Sequence, residues 1–140
     1  MIGQCLCGEV KFEISGNVPN FYHCHCLLCR KQSGTMSNAA TFISENNFVW
    51  LGGEDKISKY KKETGFSSNF CSSCGSPVPN RLRDTDNIWV PAGLLEDVED
   101  RSVVVELYTD SAVCWNSIST DGDKYGEMPD FDTLKKKLNK

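Results

Sequence analysis

Phe66-Ser-Ser-Asn-Phe-Cys71-Ser-Ser-Cys74-Gly75-Ser-Pro77 reads as a strand that runs into a turn carrying two thiols. A thioredoxin-like Cys-x-x-Cys would open a helix after its strand, whereas Gly75-Ser-Pro77 turns the chain. Two further clusters precede it, Cys5-Leu-Cys7 and Cys24-His-Cys26-Leu-Leu-Cys29, so that of the eight cysteines only Cys114 stands apart. A disulfide inside Cys5-Leu-Cys7 would close a small strained ring. Clustered thiols of this kind point to metal, and an all-thiol set favours zinc. Two tetrahedral zinc sites need eight ligands, and the clusters supply seven. One site can be closed with four thiolates. The other has three and an open position, the arrangement of a catalytic zinc rather than a structural one.

The surrounding sequence is β-rich. Val10, Phe12 and Ile14 alternate with Lys11 and Glu13, the pattern of a half-buried strand. Phe48–Leu51, Ile57–Tyr60, Phe66–Phe70, Ile88–Val90 and Val103–Tyr108 also read as strands, separated by Gly, Pro, Asn and Asp. One helix is expected, at the end: Asp130 caps it, and Phe131, Leu134 and Leu138 form a stripe. Its lysines, Lys135-Lys-Lys137 and Lys140, suit the negative end of the helix dipole and read as a solvated face.

At 140 residues the chain is long enough for one domain with a real core, residues 1–140, and short for two. A formal charge of −4 argues against wrapping nucleic acid, which needs a basic face. Met1 to Cys7 has neither the basic nor the apolar region of a signal peptide, and no apolar run reaches the roughly 18 residues that span a membrane. The expected location is cytoplasmic, where thiols stay reduced.

Spacing alone leaves two ways to pair the thiols. Cys71 and Cys74 can join Cys26 and Cys29, or they can join Cys5 and Cys7. Gly8 follows Cys7 and Gly75 follows Cys74, whereas Arg30 follows Cys29. A glycine after the last ligand lets the backbone turn tightly and aim N–H groups at sulfur, which favours Cys5, Cys7, Cys71 and Cys74 as the closed, structural set. An extended Cys5-Leu-Cys7 would also put both sulfurs on one face. Cys24, Cys26 and Cys29 then form the open set, its fourth position available to water, His23, His25, Cys114 or an incoming thiol. In an extended segment His25 points away from its two cysteine neighbours. Arg30 and Lys31 either attract an anionic substrate or offset the charge of three thiolates. Glu106 and the Ser33 hydroxyl are candidate acid–base groups.

Cys5-Leu-Cys-Gly8, Cys24-His-Cys-Leu-Leu-Cys-Arg-Lys-Gln-Ser-Gly34 and Gly65-Phe-Ser-Ser-Asn-Phe-Cys-Ser-Ser-Cys-Gly-Ser-Pro77 closely resemble the glutathione-dependent formaldehyde-activating enzyme family, which includes centromere protein V. Pro91-Ala-Gly-Leu-Leu-Glu-Asp97, Trp115 and Met128-Pro-Asp-Phe131 extend the likeness. The resemblance implies a mainly β fold of curled antiparallel sheets, the β-tent, shared with methionine sulfoxide reductase B, and a short C-terminal helix. It implies two zinc ions, with Cys5, Cys7, Cys71 and Cys74 structural and Cys24, Cys26 and Cys29 at a reactive centre. The implied activity is a carbon–sulfur lyase reaction joining glutathione to formaldehyde as S-hydroxymethylglutathione. Arg30 and Lys31 are then candidate substrate contacts. Two positions depart from the family pattern: Glu106 stands where many members carry histidine, and Cys114 where a proline often precedes the tryptophan. Two other classes compete, a zinc-binding module that docks a protein partner and a thiol redox enzyme using Cys114.

Overall fold

The computed structural model describes Met1–Lys140, and strands dominate it. In chain order the elements are β1 (Ile2–Gln4), β2 (Lys11–Ile14), β3 (Phe21–Cys24), α1 (Leu27–Ser33), β4 (Asn38–Ser44), β5 (Phe48–Gly52), β6 (Ile57–Lys61), β7 (Ser67–Cys71), β8 (Asn80–Arg81), β9 (Asn87–Pro91), β10 (Val103–Leu107), β11 (Asp123–Lys124) and α2 (Phe131–Leu138). The fold class expected from the sequence, mainly β with a short C-terminal helix, is what the chain adopts. It packs as two compact units, Met1–Val18 with Phe42–Val98, and Pro19–Thr41 with Glu99–Lys140.

In the first unit β1, β2 and β5 form an antiparallel sheet, and β6 pairs with β7 as a hairpin. The alternation read in β2 is real: Phe12 and Ile14 are buried and Lys11 and Glu13 exposed. Phe12 stacks on Phe48 at 5.3 Å between ring centroids, and Trp50 meets Phe48 edge-on at 4.9 Å. A second small core gathers Cys5, Val10, Cys71 and Val78, with Trp50, Ile57 and Leu94 against it. Cys5 and Cys71 are therefore embedded in apolar packing, with Cys74 against it.

The second unit departs from a purely antiparallel arrangement. Strand β3 is antiparallel to β4, but β10 runs parallel to both β3 and β11. Parallel pairing needs a long connection, and β3 and β10 are far enough apart in sequence to allow it. The register of β10 on β3 shifts between Val103 and Val105, after which Glu106 lies opposite His23 and Leu107 opposite Cys24.

A second helix, α1, was not expected. Cys26 is its N-cap, and its sulfur accepts from the Cys29 N–H at 3.4 Å. No residue of α1 is fully buried, so it shows no apolar stripe in sequence. Helix α2 is the expected one: the Asp130 carboxylate accepts from the Thr133 N–H at 2.9 Å, and Leu134 and Leu138 are buried. Leu134 is fully enclosed. Leu134→Ala will cost about 2–5 kcal/mol, read as a lower urea midpoint with an unchanged slope. A loss below about 1 kcal/mol would mean that α2 does not anchor its unit.

Candidate metal centres

The first thiol group is assembled from two turns of the first unit. The sequence reading had Cys5-Leu-Cys7 extended, and the structure corrects this: Leu6 and Cys7 lie in a turn directly after β1. The Gly8 N–H donates to Cys5 O at 2.9 Å, and the Cys5 N–H to Val10 O at 3.0 Å. Gly8 takes φ +79° and Gly75 φ +78°, left-handed values that side chains resist. The turn, rather than a pleat, brings both sulfurs to one side. The Gly75 N–H donates to Cys71 O at 2.8 Å and the Val10 N–H to Cys5 Sγ at 3.3 Å.

Cys5 Sγ lies 3.5 Å from Cys7 Sγ, and Cys7 Sγ lies 3.7 Å from Cys71 Sγ. All four sulfurs of Cys5, Cys7, Cys71 and Cys74 fall within 4.8 Å of one another. Sulfurs held about 2.3 Å from a central zinc in a tetrahedron are about 3.8 Å apart, so this group has the dimensions of a metal site. Hydrogen bonds from the Ser76 side chain and backbone hold the Cys74 thiol down to about 5, whereas, against the backbone hydrogen bond from Glu9, burial and contacts with Cys5, Cys74 and Cys71 push Cys7 up to about 12.

The second group, Cys24, Cys26 and Cys29, sits where β3 runs into α1, its three sulfurs also within 4.8 Å. Hydrogen bonds from Cys24, then Cys29, pull the Cys26 thiol down to about 2. Its contact with Cys26 pushes Cys24 up to about 11, and contacts with Cys24 and Cys26 push Cys29 up. The three thiols are thus coupled, Cys26 favoured as thiolate at the expense of Cys24 and Cys29. A metal must displace the remaining protons.

None of the other candidates joins these sulfurs. Cys114 is exposed. Arg30 is half-buried on α1 with its Nε unpaired, and Lys31 is exposed. The Ser33 hydroxyl is engaged, donating to Cys29 O at 2.9 Å. Tyr108 is a residue that sequence reasoning missed. It follows β10 with φ +56°, a strained value for a bulky residue. Burial pushes its phenol up, and charge on Cys24, Cys26 and Cys29 pushes the same way.

The two histidines turn to Glu106 instead. His25 Nε2 lies 2.6 Å from Glu106 Oε2, and His23 Nδ1 lies 3.2 Å from Oε1. The Thr120 hydroxyl donates to Oε1 at 2.6 Å. Burial raises the Glu106 carboxyl, but the hydrogen bonds of Thr120 and His25 and the charges of both histidines outweigh it and leave it below its ordinary value.

The family model for the glutathione-dependent formaldehyde-activating enzyme matches residues 1–111, a span that holds all seven clustered cysteines. The chain belongs to that family. A crystal structure of a Rhodobacter sphaeroides protein, a structural genomics target, shares the fold with a TM-score of 0.59 and 24% identity over 70% of this chain and 90% of that one. No curated protein matches the chain significantly. Membership accounts for the order and spacing of the three cysteine motifs, and both thiol groups have the chemistry to hold metal ions. No helix is long and apolar enough to cross a membrane.

Proposed function

We propose that the chain is a cytoplasmic zinc-dependent carbon–sulfur lyase, adding a small thiol such as glutathione to a small carbonyl such as formaldehyde. The observation that carries this reading is the three-thiol group. Cys24, Cys26 and Cys29 converge with no fourth protein thiol, since Cys114 is elsewhere and the histidines face Glu106. Cys5, Cys7, Cys71 and Cys74 would hold a structural zinc. A zinc held by Cys24, Cys26 and Cys29 would supply a Lewis acid that keeps a substrate thiol ionised at neutral pH.

The reaction adds S–H across C=O: a carbon–sulfur bond forms, the carbonyl π bond breaks, and the thiol proton ends on oxygen. Arg30 and Lys31 would bind the carboxylates of a peptide thiol, with Arg30 held in place by the half-buried helix that carries it.

Metal analysis tests this directly. Purified protein should hold two zinc ions per chain, and incubation with glutathione should perturb one and spare the other. A single tight zinc indifferent to a panel of thiols would remove the basis for the reading.

A further inference from the structure

We propose that His23, His25 and Glu106 form a third metal site, separate from both thiol groups and suited to a divalent first-row transition ion. Residues two apart on an extended segment face the same way, so His23 and His25 share one side, while Cys24 and Cys26 alternate with them. The register of β10 then sets Glu106 opposite His23 on the neighbouring strand. One stretch, His23-Cys-His-Cys26, thereby feeds a thiol group and an imidazole group.

The dimensions fit an ion. The two imidazole nitrogens and a carboxylate oxygen lie within 4.8 Å of one another. Adjacent ligands of an ion bound at about 2.1 Å sit about 3 Å apart. Each imidazole reaches its own oxygen of Glu106, His25 at 2.6 Å to Oε2 and His23 at 3.2 Å to Oε1, so the carboxylate lies between the two nitrogens. Charge argues the same way. Glu106 is 1% exposed and forms ion pairs only with these two histidines. When both imidazoles are neutral, as metal ligands must be, a divalent ion at the group balances the buried carboxylate's charge in their place.

The surroundings have the features of an outer shell. Thr120 donates to Glu106, as partners of ligating carboxylates do. The Asn116 amide lies 3.3 Å from His25 Nδ1. Turned over, it places its oxygen to accept from Nδ1–H, the usual support of a metal-bound histidine. The His23 side chain is 29% exposed and gives a route to solvent. Two imidazoles and one carboxylate leave open positions and favour iron, manganese, cobalt or zinc, whereas the thiol groups favour softer ions.

Cobalt(II) titration of the metal-free, full-length protein separates the sites. Thiolate-bound cobalt gives intense sulfur-to-metal charge transfer, and a nitrogen–oxygen site gives only weak d–d bands. The wild type should bind one equivalent that adds no charge transfer. Glu106→Gln and His23→Gln should each weaken that equivalent at least about 100-fold while keeping the charge-transfer bands and the far-UV circular dichroism. His23 is partly exposed, so His23→Gln carries the test even if Glu106→Gln fails to fold. Absence of the additional equivalent in the wild type, or its persistence in His23→Gln, overturns the proposal. Loss of the charge-transfer bands alone would sink the zinc-lyase reading and leave this one standing.

Discussion

Cys71→Ser will cost the protein one zinc and unfold the unit made of Met1–Val18 and Phe42–Val98. Cys71 closes β7 and is wholly buried among Cys5, Val10 and Val78. Its group ties the turn at Cys5–Gly8 to the turn at Cys71–Gly75, two segments otherwise joined by a small aliphatic core and by hydrogen bonds from Leu6 N–H to the Ser76 hydroxyl and from the Ser73 hydroxyl to Glu9. Structural zinc sites of this type contribute on the order of 10–16 kcal/mol of apparent binding free energy. That is comparable to the entire stability of a domain, about 5–15 kcal/mol. A serine hydroxyl is a poor zinc ligand, and in this position it would also be a buried polar group without its partner. Metal analysis should show one zinc fewer, and the thermal transition should be lost or broadened. Strong chelators should reproduce the effect in the wild type, while Cys114→Ser, an exposed change, leaves both measurements alone. A Cys71→Ser protein that melts within a few degrees of the wild type would show that the four-thiol group does not stabilise its unit.

The elements that were legible in the sequence are those that face water on one side. Strand β2 displays its two faces as alternation, and α2 displays a capping aspartate and a leucine stripe, because each buries only one side. Strand β3 buries Phe21, Tyr22 and Cys24, so burial does not alternate along it and its sequence carries no period-two signal. Helix α1 escaped for the opposite reason, since none of its residues is fully buried. The thiol grouping was readable through Gly8 and Gly75, whose left-handed backbone is a local requirement of the turns. Glu106 stood out in the sequence as a departure from a family pattern and as a candidate acid–base group, not as a partner of the histidines. Its partnership with His23 arises from strand register across 83 positions, which no local pattern encodes. The spacing His23-x-His25 was the available signal, and it becomes informative once that stretch is known to be extended.

On the proposed lyase reading, Cys26→Ser will abolish catalysis and leave the fold intact. Cys26 has two roles that serine separates. It caps α1 by accepting the Cys29 N–H, and serine is among the best residues at a helix N-cap, so α1 keeps its start. It is also the sulfur that Cys24 and Cys29 both stabilise as a thiolate, and that donor is lost. Two thiols in place of three cannot hold a catalytic zinc with one open position. Lewis-acid stabilisation of this type is worth several kcal/mol, so exchange between glutathione, formaldehyde and their adduct should slow by about 10³-fold or more. Magnetisation-transfer spectroscopy at equilibrium measures that exchange directly and needs no coupled enzyme. The variant should keep one zinc, bound by Cys5, Cys7, Cys71 and Cys74, and its unfolding free energy should change by less than about 1 kcal/mol. Two outcomes would break the link between the three-thiol group and chemistry. One is full activity with the second zinc gone, and the other is full activity with it still in place. The contrast with Cys71→Ser is what makes the pair decisive: the same atom exchange should destroy the fold at one group and only the reaction at the other.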